Sequence, residues 1–201
     1  MTDILANVRA HLCGHFAAAG IESEPDVASV TFVGVDPIDV LRFGPDVRPG
    51  YEDVYHHVSL GCSRYPMGEP TEFVLDAHAG PRAEVMVALR GSTPTGLSES
   101  IAVLAAAPAV EGLILVPDAL IDLEAPLWRA SPFTAMLLGP SEIGDVALPP
   151  PDEPVVFLAA TPITPTEAAW VRLKGADAMR EAWRTDGVDV LDPRRPAAQP
   201  R

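Results

Sequence analysis

The sequence predicts a single α+β domain, in which short strands form an antiparallel sheet and helices pack beside it. Three observations lead there. The runs Val54–Gly61 (VYHHVSLG) and Arg82–Arg90 (RAEVMVALR) alternate residue by residue, the two-residue period of a strand. Segments near both ends carry apolar residues three and four apart, the period of a helix. A chain of 201 residues can bury one sizeable core, while its 22 prolines and 15 glycines demand many short elements joined by stiff turns.

In chain order, the first element is a helix from a Thr2 or Asp3 cap to Gly20, with Leu5, Val8, Leu12, Phe16 and Ala19 as its apolar stripe. Ala28–Val35 is rich in β-branched residues and reads as a strand, with a short second one at Val40–Gly44. Val54–Gly61 follows, its His56 set among Val54, Val58 and Leu60, and its Tyr55, His57 and Ser59 on a polar, partly wet face. A weak strand is expected near Glu72–Leu75, and Arg82–Arg90 completes a sheet with one buried face.

Thr95–Ala107 is an alanine-rich helix that Pro108 should stop, since proline removes a helical N–H and crowds the preceding turn. The apolar GLILVP (112–117) reads as a strand, and a strand pair is expected at Ala119–Leu123 and Phe133–Leu138. Pro149–Pro151 is a rigid linker into a further strand, VVFLAATPI. The clearest punctuation comes next: Thr164, Pro165 and Glu167 have the spacing of a capping box with proline at the first helical position, and the helix runs through Trp170, Leu173, Ala176, Met179 and Trp183 with a kink at Gly175. GVDVLDP reads as an edge strand and RRPAAQPR as a frayed tail.

The formal net charge of −14 argues against a surface for nucleic-acid phosphates or anionic lipid, both of which need clustered Lys and Arg. A basic protein suits it better. Between Glu111 and Glu167 nine Asp and Glu meet one Arg, Arg129. From this stretch Asp118, Asp122, Glu124, Glu142 and Asp145 are the candidate partner-binding residues. No run approaches the length of a membrane span, and the N-terminal segment lacks a signal-peptide layout, so a cytoplasmic location is expected, with Cys13 and Cys62 as thiols.

Chemistry is sparse. His56 and His57 are neighbours on a strand and point to opposite faces, so they cannot share a metal or a catalytic hydrogen bond, and Cys62 has no spacing that marks it as a nucleophile. A small hydrolase or metal-dependent enzyme using His56, His57 or Cys62 is the alternative reading. His11 and His15 have a spacing that could meet one metal, without further ligands to complete a site. Asp118, Asp122 and Glu124 could form a carboxylate cluster, but nothing sets their separation. No phosphate-binding, dinucleotide or nucleophile-elbow motif occurs. No catalytic residue, metal ligand or cofactor is assigned.

VYHHVSLG followed by RAEVMVALR, then GLILVP, then VVFLAATPITPTEAAWVRLKGADAMREAW resembles the suppressor of fused domain family, in its bacterial stand-alone form. The resemblance runs from Val54 to Trp183, and its closing piece is the most specific. It implies an α+β fold with a mixed, largely antiparallel sheet flanked by helices, and the domain is expected over residues 1–193, with the composition of 194–201 reading as a disordered tail. It also implies protein binding rather than catalysis, by capture of an extended peptide as in the animal members, or an immunity role against toxins as proposed for bacterial ones. Where the family pattern places an acid after Cys62 and Ser63, this chain has Arg64, so the family's site residues do not transfer.

Overall fold

The computed structural model describes residues 3–68 and 80–198. The elements are α1 (Ile4–Ala18), β1 (Asp26–Phe32), β2 (Val35–Phe43), β3 (Val54–Leu60), β4 (Arg82–Arg90), α2 (Leu97–Glu111), β5 (Leu120–Asp122), β6 (Ala135–Pro140), β7 (Val155–Ile163), α3 (Pro165–Lys174) and α4 (Ala176–Thr185). Together they form one α+β domain on a seven-stranded sheet of order β1-β2-β3-β4-β7-β6-β5. Two antiparallel meanders, β1 to β4 and β5 to β7, meet at one parallel seam, where β4 pairs β7 from Arg82↔Val155 to Met86↔Ala159. The sheet is therefore mixed and largely antiparallel.

The expectation of a single buried face is overturned. Helix α2 covers one face, where Val85, Val87 and Leu89 of β4 pack with Leu97, Ile101 and Leu104. On the other face, α1 packs Val8, Leu12 and Phe16 against Leu41, Phe43 and Val58, and α3 with α4 covers Ala135, Leu137 and Ile163. In β3 His57 and Ser59 are consequently buried as well, and of the predicted partly wet face only Tyr55 stays half-exposed.

Local signals explain most boundaries. Asp3 caps α1 by accepting the N–H of Ala6 at 3.1 Å. The first strand ends at Phe32, short of Val35, because Gly34 makes the β1–β2 reversal at φ 79°. Pro37 is tolerated inside β2 because it falls where the β1 register shifts between Val30 and Phe32, before the β3 ladder starts at Asp39↔Leu60. The strand pair expected at Ala119–Leu123 and Phe133–Leu138 forms as β5 and β6. Thr164 and Glu167 make the full capping box at the start of α3.

Several readings differ. Pro108 does not stop α2, which continues to Glu111 and ends at Gly112 in the left-handed region, with the Gly112 N–H donating to the Pro108 carbonyl. A single lost N–H is outweighed by the buried Ala105–Ala107 stretch that packs on the sheet. GLILVP is not a strand: only Leu115 is buried there, while Ile114 and Val116 stay exposed. GVDVLDP is a run of turns, although the Leu191 carbonyl accepts the N–H of Arg90 at the end of β4. RRPAAQPR packs on the fold as far as Ala198, because Arg195 finds a buried carboxylate in Glu167. At Gly175 the expected kink is a full break into α3 and α4. The predicted strand at Glu72–Leu75 lies outside the described residues.

Candidate functional site

The strand that carries His56, His57 and Ser59, with Cys62 just beyond its end, keeps these side chains in separate environments. His56 faces α1, its ring 5.1 Å from Phe16 and 6.4 Å from Tyr51. Its Nε2 lies 2.8 Å from Asp46 Oδ2. Burial lowers the His56 pKa below its usual value, against the opposing pull of the Asp46 hydrogen bond and charge. Burial of Asp46 would raise its carboxyl, but the Arg48 guanidinium and backbone N–H, with His56, outweigh it and hold Asp46 well below the usual carboxylate range. Asp46 is thus an anionic acceptor, and His56 donates to it from Nε2.

His57 faces α2, with Nε2 3.0 Å from Thr93 Oγ1. Burial, helped by the Arg42 and His56 charges, lowers its pKa from 6.5 to about 4. Cys62 is buried, and burial with the nearby Glu84 charge pushes its thiol up, away from the thiolate a nucleophile needs. The Nε2 atoms of the two histidines are thus spent on Asp46 and Thr93 rather than on Cys62. On α1, His11 stacks on Phe157 and His15 meets Phe16 edge-on, and no group of three or more His, Cys, Asp or Glu among the described residues could hold a metal ion.

Two carboxylates that the sequence did not single out organise this region. Glu84 is fully buried where the β3–β4 ladder stops at Val58↔Met86, and accepts from Ser59 Oγ (2.5 Å), the Gly61 N–H (2.9 Å), the Ser63 N–H (3.0 Å) and Ser63 Oγ (2.6 Å). The Val85 N–H, beyond the end of that ladder, donates to Ser59 Oγ. Gly61 makes the bend at φ 146°, where a Cβ would lie 2.9 Å from Ile38 Cδ1. An acid within the apolar alternation of RAEVMVALR was the available signal. Asp46, in the turn between β2 and β3, accepts the Arg48 backbone N–H at 2.9 Å and the guanidinium at 2.7 Å; the Asp-x-Arg of PDVRPG was the signal there.

Over β4 and β7 the helical cover leaves a cleft of about 240 Å³. Its floor is Met86, Ala88 and Ala159, and its walls include His56, Glu142 and Leu191. Arg48 joins Glu142 at 3.3 Å, so the turn before β3 and the β6–β7 connection meet there. A hollow of about 450 Å³ lies against the C-terminal turn of α2, but its charged groups are engaged: Asp36 accepts from Tyr65 Oη at 3.1 Å and lies 3.7 Å from Arg64 Nε.

The five predicted acidic residues fall into two groups. Asp118, Asp122 and Glu124 surround β5, the strand that ends the sheet, with Asp118 and Glu124 at φ 70° and 55°. Asp118 pairs with Arg180 of α4 at 2.6 Å and Asp122 with Arg172 of α3 at 2.7 Å. The Arg172 hydrogen bond, with the Glu124 N–H, holds Asp122 below its ordinary value. Glu142 and exposed Asp145 lie in the β6–β7 connection instead. The five acids are therefore divided between the surroundings of β5 and the β6–β7 connection.

A family model described as Suppressor of fused protein (SUFU) matches residues 34–196. No curated protein matches the chain by sequence. Among solved structures, a SUFU homologue from Neisseria gonorrhoeae FA 1090 aligns at TM-score 0.67 and 18% identity, covering 98% of this chain and 97% of the other. The Sufu–Fu complex aligns at TM-score 0.70 and 14% identity, over 96% and 91%. Drosophila Suppressor of Fused aligns at TM-score 0.69 and 16% identity, over 96% of this chain and 51% of that one. These likenesses show a shared fold.

Proposed function

The chain belongs to the suppressor of fused family, and from that premise we propose that it is a non-enzymatic protein-binding domain that engages a basic partner, acting in the cytoplasm. The observation that carries this reading is the β5 edge: an end strand of the sheet with Asp118, Asp122 and Glu124 set around it. An end strand offers main-chain groups to an extended peptide, and flanking carboxylates select a cationic one. The similar fold in the Sufu–Fu complex, a structure of a protein with its partner, agrees with it.

The arginine pairs at this edge do not oppose the reading. Exposed ion pairs contribute about 0–1 kcal/mol, so Arg172 and Arg180 exchange readily for cations of a partner. Glu124 has no ion pair among the described residues and is the most available carboxylate of this edge. A toxin nuclease, cationic where it holds nucleic acid, is one class of partner that fits, which would make the domain an immunity protein. Glu142 and Asp145 supply a second acidic patch.

The test is an affinity pull-down at low and at physiological salt, with wild type and the Asp122→Lys, Glu124→Lys double variant. A basic protein retained by wild type, released by salt and not retained by the variant is the expected result. Equal retention by both proteins would remove the β5 edge from the account, and retention of nothing at either salt would sink the reading.

A further inference from the structure

The cleft over β4 and β7 has an electrostatic imbalance built into one wall. Asp46 and Glu142 contribute two carboxylates, Arg48 bridges them with one guanidinium, and burial keeps His56 neutral. One negative charge is left over. The Asp46 side chain is fully buried and spent on Arg48 and His56, so the excess is presented by Glu142, which lines the cleft and is 66% exposed. His56 adds a second signal: it is 3% exposed, it lines the cleft, it gives its Nε2 proton to Asp46, and its Nδ1 has no partner. That nitrogen has almost no accessible surface, so His56 gives the cleft a neutral polar wall and leaves Glu142 as its reachable charge.

The remaining lining fixes the shape of a group that would meet Glu142. Met86, Ala88, Pro162 and Leu191 give an apolar trough, and Ser141 and Thr161 add hydroxyls. An anion would meet the Glu142 carboxylate, and a purely apolar group would leave that charge unanswered. A long alkyl stem ending in a cation satisfies all of them, and about 240 Å³ suits one such side chain. We propose that the cleft receives a single arginine or lysine side chain from a protein partner, at a site separate from the β5 edge. The source of that side chain rests on the reading of the domain as a binder of a basic protein; the preference for the cation rests on the cleft itself.

The test is a ¹H–¹⁵N NMR titration with N-acetyl-arginine amide, N-acetyl-lysine amide and the neutral N-acetyl-citrulline amide. Saturable shifts at the amides of Ala88, Glu142 and Thr161 are expected with the cationic probes, several-fold weaker with the neutral one. Glu142→Gln should weaken the cationic probes several-fold while leaving the rest of the spectrum in place, since it removes the unbalanced charge and keeps Arg48 paired with Asp46. Equal binding of the neutral probe, shifts confined to other parts of the surface, or no saturation would overturn the proposal. Partner retention unaffected by Glu142→Gln would overturn the partner as the source of the side chain, whereas failure at the β5 edge shows separately in the Asp122 and Glu124 variant.

Discussion

Arg195 Nη1 donates to Glu167 Oε1 across 2.7 Å in a socket where the two side chains are 3% and 0% exposed. The same guanidinium donates to the Pro162 carbonyl at 2.9 Å and lies over the Phe133 and Trp183 rings, while Glu167 also accepts from the Trp183 indole and the Ala198 N–H. The residues after α4 are thereby tied to the first turn of α3, and the carboxylate of the capping box is also the counter-charge of a residue far along the chain.

Arg195→Ala leaves Glu167 as an uncompensated buried charge and should cost about 3–5 kcal/mol of stability. Urea unfolding measures it. The double variant Glu167→Gln, Arg195→Met strands no bare charge and should lose less than Arg195→Ala alone. A midpoint for Arg195→Ala equal to wild type would show that the socket contributes nothing.

Stability should fall on acidification in two overlapping stages. His57 has its pKa depressed from 6.5 to about 4, so the unfolded chain takes up a proton first; the penalty begins near pH 6.5 and saturates below about pH 4. A tenfold change in proton affinity is worth about 1.4 kcal/mol, which makes the full penalty about 3 kcal/mol. Glu167 and Asp46 are also depressed, Glu167 because Arg195, the Thr164 N–H and Trp183 outweigh its burial, so their contribution is present above the ordinary carboxylate range and lost as pH falls through their folded values. His57→Gln should make the curve shallower between pH 6.5 and 4, where His56 with its own lowered pKa keeps part of the slope, and leave the lower limb. An unchanged upper limb would show that His57 is not the group responsible.

Cys62, buried and with its thiol pushed up, should resist iodoacetamide in the folded protein and react once the chain is unfolded, whereas half-buried Cys13 should be modified first. Peptide mass spectrometry after timed labelling distinguishes the two. Rapid labelling of native Cys62 would restore the hydrolase alternative that the geometry of His56 and His57 disfavours.

Sequence reading succeeded where the deciding interaction is local. Thr164–Pro165–Glu167 carries its own cap, and the β3 and β4 alternations show in their spelling. It failed where the deciding partner is remote. Nothing adjacent to Ser59 shows that α2 will cover its face, nothing near Pro108 reports how much apolar surface the preceding turn holds against the sheet, and RRPAAQPR has the composition of a tail until Glu167 is brought to it. The candidate site follows the same rule. The acids of Glu111–Glu167 were countable in the sequence, but their division between the β5 edge and the β6–β7 connection follows from strand order, and the Asp46–His56 pair from the turn that folds Asp46 back onto β3.

The parallel seam between β4 and β7 has a consequence for assembly in time. Each meander closes by contacts between neighbours in the chain, but the seam joins Arg82 to Val155 only after α2 and the whole β5–β6 hairpin have been threaded between them, so it carries the longest loop closure in the sheet. Loop-closure entropy favours forming the meanders before the seam that joins them. Cutting the backbone between β4 and α2 turns that joining from an internal one into an encounter of two molecules, governed by their concentration.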